Sequence, residues 1–213
     1  MIVLRDLWKR FPGGPLVADG IDATFPAGQA IALLGRNGAG KSSLLAMIAG
    51  TLRPDAGRVE RRGSVSWPVG FAGAFHPDLT GAQNTRFVAR VYGVDSRALL
   101  EFVRDVSGLE DAMRYPVRRY SSGMRARLGF AISMGIPFDM YLVDEVTAVG
   151  DAAFRRETSQ LLRARLGQAG AIVVSHAPAQ LRGLCCAGAV LDRGRLRMFD
   201  DLDAAIAAYQ ALA

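Results

Sequence analysis

Gly35 to Ser42 reads GRNGAGKS, which fits the spacing G-x-x-x-x-G-K-[ST]. Glycines so spaced let backbone N–H groups wrap phosphate oxygens, the lysine can reach β and γ phosphates, and the serine hydroxyl can ligate Mg²⁺. Lys41 fills the demanded position although the chain has only one other lysine, Lys9. A second group follows the apolar run Met140 to Val143, which ends in Asp144 and Glu145. At such a strand end Asp144 would hold Mg²⁺ through its water shell, and Glu145 would polarise the water that attacks a γ phosphate. A third is YSSGM at Tyr120 to Met124. Small hydroxyl and glycine residues at a helix start bare N–H groups to an anion, although taken alone they also read as an ordinary N-cap.

These groups need a scaffold that brings strand ends and helix starts together. Met1 to Leu7 and Gly20 to Phe25 alternate as half-buried strands around the turn-rich Pro12 to Pro15, and Ala30 to Leu34 reads as a buried strand entering the glycine loop. Thr80 and Gln83 form a capping box that opens a helix through Val91, and a second helix covers roughly Ser96 to Val106. A third helix starts near Ser122 with Met124, Leu128, Ala131 and Ile132 on one face, and leads into the strand Met140 to Val143. A helix around Phe154 to Leu166, a strand Ala171 to Ser175, a hairpin turning at Asp192 to Gly194 and a helix Leu202 to Leu212 complete the pattern. The expected fold is α/β: a P-loop NTPase core of mainly parallel sheet, with an antiparallel β portion at the N-terminus and an inserted helical subdomain.

With 213 residues, 50% hydrophobic and 22% charged, the chain has globular composition, which excludes a disordered or fibrous protein. Every apolar stretch is interrupted before the roughly 18 residues that a spanning helix needs. Arg5 and Asp6 stand where a secretory signal would carry its apolar centre, so a cytoplasmic protein is expected. Cys185 and Cys186 are adjacent and cannot bridge without heavy strain, so both read as reduced. The net charge of +6 comes almost wholly from arginine, scattered with no block of five. It is compatible with nucleic acid, with an anionic membrane face, or with Arg-rich coding bias.

The order P-loop, helical insert, SSG and acidic strand end resembles the nucleotide-binding subunit of ABC transporters over essentially the whole chain. GSVSWPVG at Gly63 to Gly70, RFVARVYG at Arg86 to Gly93, YSSGM, and DEVTAVGD at Asp144 to Asp151 look like the ATPase subunits of bacterial capsular-polysaccharide exporters. The resemblance implies one ABC ATPase domain over 1–213, with the helical insert at approximately 80–136. It implies a phosphate cradle of Gly35, Asn37, Gly38, Gly40, Lys41, Ser42 and Ser43, and a signature at Ser122 and Gly123 presented to ATP on a second copy. It makes Asp151 an aspartate that communicates across that dimer, and His176 the switch histidine at the γ phosphate; a lone histidine after a strand is otherwise read as structural.

Two positions depart from the family pattern. Phe11 stands where a tyrosine usually stacks on adenine; Trp8 is the alternative, and either could be core. His76, within GAFHPDLTG, stands at the glutamine that links Mg²⁺, the attacking water and the membrane subunit, or else caps the loop before Pro77. FHPDLTG looks like the ATPases of O-antigen and teichoic acid exporters. Some of those carry a carbohydrate-binding domain, whereas this chain ends about forty residues after His176, so none is expected. The resemblance implies ATP and Mg²⁺ as ligands, homodimerisation, and a polytopic permease partner at the cytoplasmic face of the bacterial inner membrane. It implies neither nucleic acid nor direct sugar contact. A nucleic-acid-associated ATPase and a small-molecule P-loop kinase are the rival readings.

Overall fold

The computed structural model describes residues 1–69, 75–144, 152–175 and 178–212, with only the backbone at 152, 153, 155–157, 178 and 179. The chain divides into two compact units. One comprises Met1–Pro68, Phe138–Glu145 and Arg163–Ala213, and the other Val69–Pro137 and Val146–Leu162.

The first unit contains two sheets. Strands β1 (Ile2–Arg10), β2 (Leu16–Phe25) and β4 (Ala56–Arg61) form an antiparallel sheet in the order β2-β1-β4. The second sheet has the order β5-β6-β7-β3-β8-β9, built from β3 (Ala30–Leu34), β5 (Val65–Pro68), β6 (Met140–Asp144), β7 (Gly170–Val174), β8 (Ala187–Asp192) and β9 (Arg195–Phe199). It is parallel except for β9, which turns back on β8 through Arg193 and Gly194, both at positive φ. β3 and β7 are buried at every position, as strands covered on both faces must be. Helix α1 (Lys41–Ala49) packs Leu44, Leu45, Met47 and Ile48 into one core with Leu4, Leu7, Val17, Phe25, Ile31, Leu33, Leu142 and Ile172. Its C-terminal end is gripped from β4. Arg61 donates through Nε to the Ile48 carbonyl at 2.6 Å and through Nη2 to the Met47 carbonyl at 2.9 Å, placing a cation at the negative pole of the helix.

The second unit is built around α2 (Gly81–Tyr92), α3 (Ser96–Ser107) and α4 (Ser122–Gly135). The expected capping box opens α2: the Gln83 N–H donates to Thr80 Oγ1 at 3.1 Å, and the Thr80 N–H to Gln83 Oε1 at 2.8 Å. Asp95 caps α3 by accepting the N–H groups of Arg97 and Ala98. Leu99, Leu100 and Val103 of α3 are buried, as are Leu128, Ala131 and Ile132 of α4. Helix α5 (Ala152–Leu166) runs from this unit into the first, and α6 (Pro178–Leu181) and α7 (Leu202–Gln210) belong to the first. Among the described residues no helix is long and apolar enough to cross a membrane.

The expected elements are present, with differences at their edges. β2 begins at Leu16 rather than Gly20, because Asp19-Gly20 is a bulge inside a continuing strand: Gly20 has φ +64 and lies under the Trp8 ring. β4 and β5 were not anticipated. AGRVER carries a single aliphatic of strand type, and VSWP contains a proline, which an edge strand tolerates.

Candidate active site

The C-terminal ends of β3, β6 and β7 converge with the start of α1, the place where parallel α/β sheets bind ligands. Between them lies a cleft of about 340 Å³ lined by Phe11, Pro15, Val17, the loop residues Asn37, Gly38 and Gly40, the helix residues Lys41, Ser42 and Ser43, and the strand ends Asp144 and Val174. Gly40 is the N-cap of α1 at φ +99, ψ +13, a left-handed conformation that side chains rarely adopt. A Cβ there would fall 2.5 Å from Val17 Cγ1, so glycine is what lets the loop pass under β2. At the other end of the loop, a Cβ on Gly35 would meet the Leu191 carbonyl oxygen at 2.5 Å. The loop therefore offers backbone, unshielded by side chains, to whatever enters the cleft.

Lys41 is only 9% exposed, and its ammonium donates to the carbonyls of Gly35 at 2.7 Å and Arg36 at 3.0 Å. It spans the loop it belongs to, holding a positive charge beside the first N–H groups of α1. Asp144 pairs with Val174 across the β6–β7 register at the mouth of the same cleft. A hydroxyl from Ser42 and a carboxylate from Asp144 on one wall are hard oxygen donors of the kind Mg²⁺ takes. The anionic pocket implied by the glycine loop, the buried lysine and the helix start fits a polyphosphate.

Phe11 and Trp8 have different surroundings. Phe11 lines the cleft, whereas Trp8 lies over Gly20 and donates its indole N–H to Asp6 Oδ1 at 2.7 Å. Pro15, Val17 and Val174 complete the apolar part of the cleft; only tertiary contact brings them there, and no local signal marked them.

In the second unit, Ser121 caps α4 by accepting the Met124 N–H at 3.1 Å, and Ser122 and Gly123 are exposed in the first turn. Behind them Tyr120 is buried and donates its hydroxyl to the Ala112 carbonyl at 2.6 Å. His76 lies in the same unit. Its Nδ1 accepts the Asp78 N–H at 3.3 Å, and its own N–H donates to Asn84 Oδ1 at 2.9 Å. Asn84 is 2% exposed, and its Nδ2 reaches the carbonyls of His76, Leu79 and Thr80 at 3.1–3.2 Å, which locks the loop onto α2. Glu145, Asp151 and His176 lie outside the described residues.

The sequence pattern of the ABC transporter family matches residues 18–148. The chain belongs to that family. Its members hydrolyse ATP, and this chain is an ABC ATPase. It is 40% identical over 215 residues to the capsule polysaccharide export ATP-binding protein CtrD of Neisseria meningitidis serogroup B, covering 100% of both chains. It is likewise 40% identical over 212 residues to the ATP-binding protein BexA of Haemophilus influenzae, covering 98% of both. An ATP-binding cassette solved as a post-hydrolysis dimer with ADP and Pi superimposes with a TM-score of 0.80 at 19% identity, over 95% of this chain and 99% of that one. This likeness establishes the ABC ATPase fold.

Proposed function

We propose that this chain is the ATP-hydrolysing motor of an exporter of lipid-linked capsular polysaccharide. In this reading it works as a homodimer under a polytopic permease, peripheral to the cytoplasmic face of the bacterial inner membrane. The observation that carries the motor reading is the single cleft that gathers the glycine loop, Lys41, Ser42, Asp144 and Phe11. The export reading is supported by the capsule-export relative, which matches over its whole length.

The roles follow from chemistry. Phe11 offers an aromatic surface for the adenine. The N–H groups of Gly38 to Ser43 surround the phosphates, and Lys41 exchanges its two carbonyl acceptors for phosphate oxygens. Ser42 and Asp144 would hold Mg²⁺, which when bound supplies charge neutralisation across the β and γ phosphates. Glu145 orients and polarises the attacking water, His176 donates to the γ phosphate, and Asp151 acts across the dimer. His76 serves as the water- and metal-side contact in place of glutamine; with Nδ1 engaged by the Asp78 N–H, Nε2 is the nitrogen for that role. Ser122 and Gly123, exposed at the start of α4, are presented to the nucleotide of the second copy. The chain acts as one domain with its helical insert at approximately 80–136, and touches neither the sugar nor nucleic acid.

The test is recovery of the tagged chain from detergent-solubilised membranes, together with a Lys41→Ala variant. Both should bring down a polytopic permease, and only the parent should hydrolyse ATP and support a capsule. Recovery of nucleic acid in place of a permease would sink the export reading.

A further inference from the structure

The cleft wall that carries Phe11 is fixed from outside the cleft. Phe11 opens the turn to Pro15, which contains two glycines; its carbonyl accepts the Gly14 N–H at 2.9 Å, and its ring is 36% exposed. Lys9, two residues earlier, brings its ammonium to 5.6 Å from the Phe11 ring centroid, within cation–π range. Its side chain is only 14% exposed, and the ammonium donates to Asp55 Oδ1 at 2.7 Å. The other carboxylate oxygen of Asp55 accepts the Arg10 N–H at 2.7 Å, and the Asp55 N–H donates to the Trp8 carbonyl at 2.8 Å. One residue between α1 and β4 thus grips the backbone on both sides of Lys9 and the ammonium itself. The hydrogen bonds from Lys9 and Arg10 hold the Asp55 carboxyl below its ordinary range, so it stays charged at neutral pH.

We propose that Lys9 and Asp55 are positioning residues for the nucleobase: together they fix the Phe11 ring in the attitude in which it receives the base. This rests on the reading of Phe11 as the adenine platform. A cation held against an aromatic ring restrains its rotation and leaves the opposite π-face for a flat heterocycle. The pair acts on the base end of the nucleotide alone. It affects affinity for nucleotides, not the chemistry at the γ phosphate, and is indifferent to a polyphosphate without a base.

The experiment uses the purified full chain, with titration calorimetry of Mg-ATP and of Mg-tripolyphosphate as the base-free probe, and ATPase kinetics alongside. Lys9→Met and Asp55→Ala should raise the ATP Kd and KM by about three- to tenfold, the range of one aromatic stacking contact, with kcat within twofold and tripolyphosphate binding unchanged. Lys9→Arg, which keeps the charge and the reach to Asp55, should recover most of the affinity. Phe11→Ala should weaken ATP at least as much, and adding Lys9→Met to it should cost nothing further. If Phe11→Ala weakens ATP but Lys9→Met and Asp55→Ala do not, the positioning role is overturned while the platform stands. If Phe11→Ala itself leaves ATP affinity unchanged, the platform reading fails and the proposal with it. Equal loss of tripolyphosphate and ATP binding in Lys9→Met would also overturn it, because the damage would then lie in the phosphate loop.

Discussion

Gly40→Ala tests whether the backbone of the phosphate loop, rather than its side chains, makes the site. At φ +99 a residue with a Cβ carries a backbone cost of about 1–3 kcal/mol. The new methyl would also sit 2.5 Å from Val17 Cγ1, about 1 Å inside ordinary carbon–carbon contact. Val17 is buried and β-branched, so it cannot swing away, and overpacking of this kind costs about 1–3 kcal/mol more. If the loop escapes by abandoning its cradle, the two costs together, about 3–4 kcal/mol, appear as a loss of two to three orders of magnitude in ATP affinity at about 1.4 kcal/mol per tenfold. A double-mutant cycle separates them. Val17→Ala removes the offending methyl, so Gly40→Ala/Val17→Ala should recover the steric share and leave the dihedral share, giving a coupling of about 1–3 kcal/mol. Calorimetric titration of ATP into the four proteins reads it. An affinity for Gly40→Ala within twofold of the parent, or strictly additive effects, would refute the geometry argued for this loop.

Glu145→Gln keeps the shape and removes the basic oxygen, so ATP should still bind while turnover falls about a hundredfold or more; unchanged hydrolysis would remove Glu145 from the mechanism. Asn84→Ala should destabilise the chain by about 2–3 kcal/mol, because the His76 N–H and three loop carbonyls lose a buried partner; a denaturation midpoint within experimental scatter of the parent would show that the loop stands without it. Burial pushes the Cys185 thiol up to about 12, so at pH 8 it stays protonated and a maleimide should label the exposed Cys186 alone in the folded chain, and both after unfolding. Two labels per folded chain would contradict the packing around Cys185.

The parts of the site that lie contiguous in sequence were legible there. GRNGAGKS after the apolar run to Leu34 locates the phosphate loop, and the Met140 to Val143 run locates Asp144, because a buried strand end and a helix start are local properties. The helices of the second unit were legible for the same reason: a capping box and a threefold-fourfold apolar period need no distant partner. β4 was invisible because its reason to be a strand is not in AGRVER. It is recruited by pairing with β1, with Val59 opposite Leu4. Asp19-Gly20 reads as a turn, yet the strand runs through it as a bulge, since the Trp8 ring occupies the space a side chain would need. Phe11 and Trp8 could not be told apart by type. What separates them is that one faces the cleft and the other is tied to Asp6, a matter of direction along β1 rather than of composition.

The grip of Arg61 on the last carbonyls of α1 has a mechanical consequence. β4 holds the tail of the helix whose head meets the phosphates, and β4 is paired along β1, the strand that ends beside Phe11. α1 is about 13 Å long, with no freedom at its far end to pivot. The two ends of the bound nucleotide are therefore measured by one ruler with fixed marks, the aromatic ring at one and the glycine loop at the other. A ligand with a shorter or longer span between its ring and its phosphates meets a gauge that does not stretch, so selection by length is built into the antiparallel sheet before any chemistry begins.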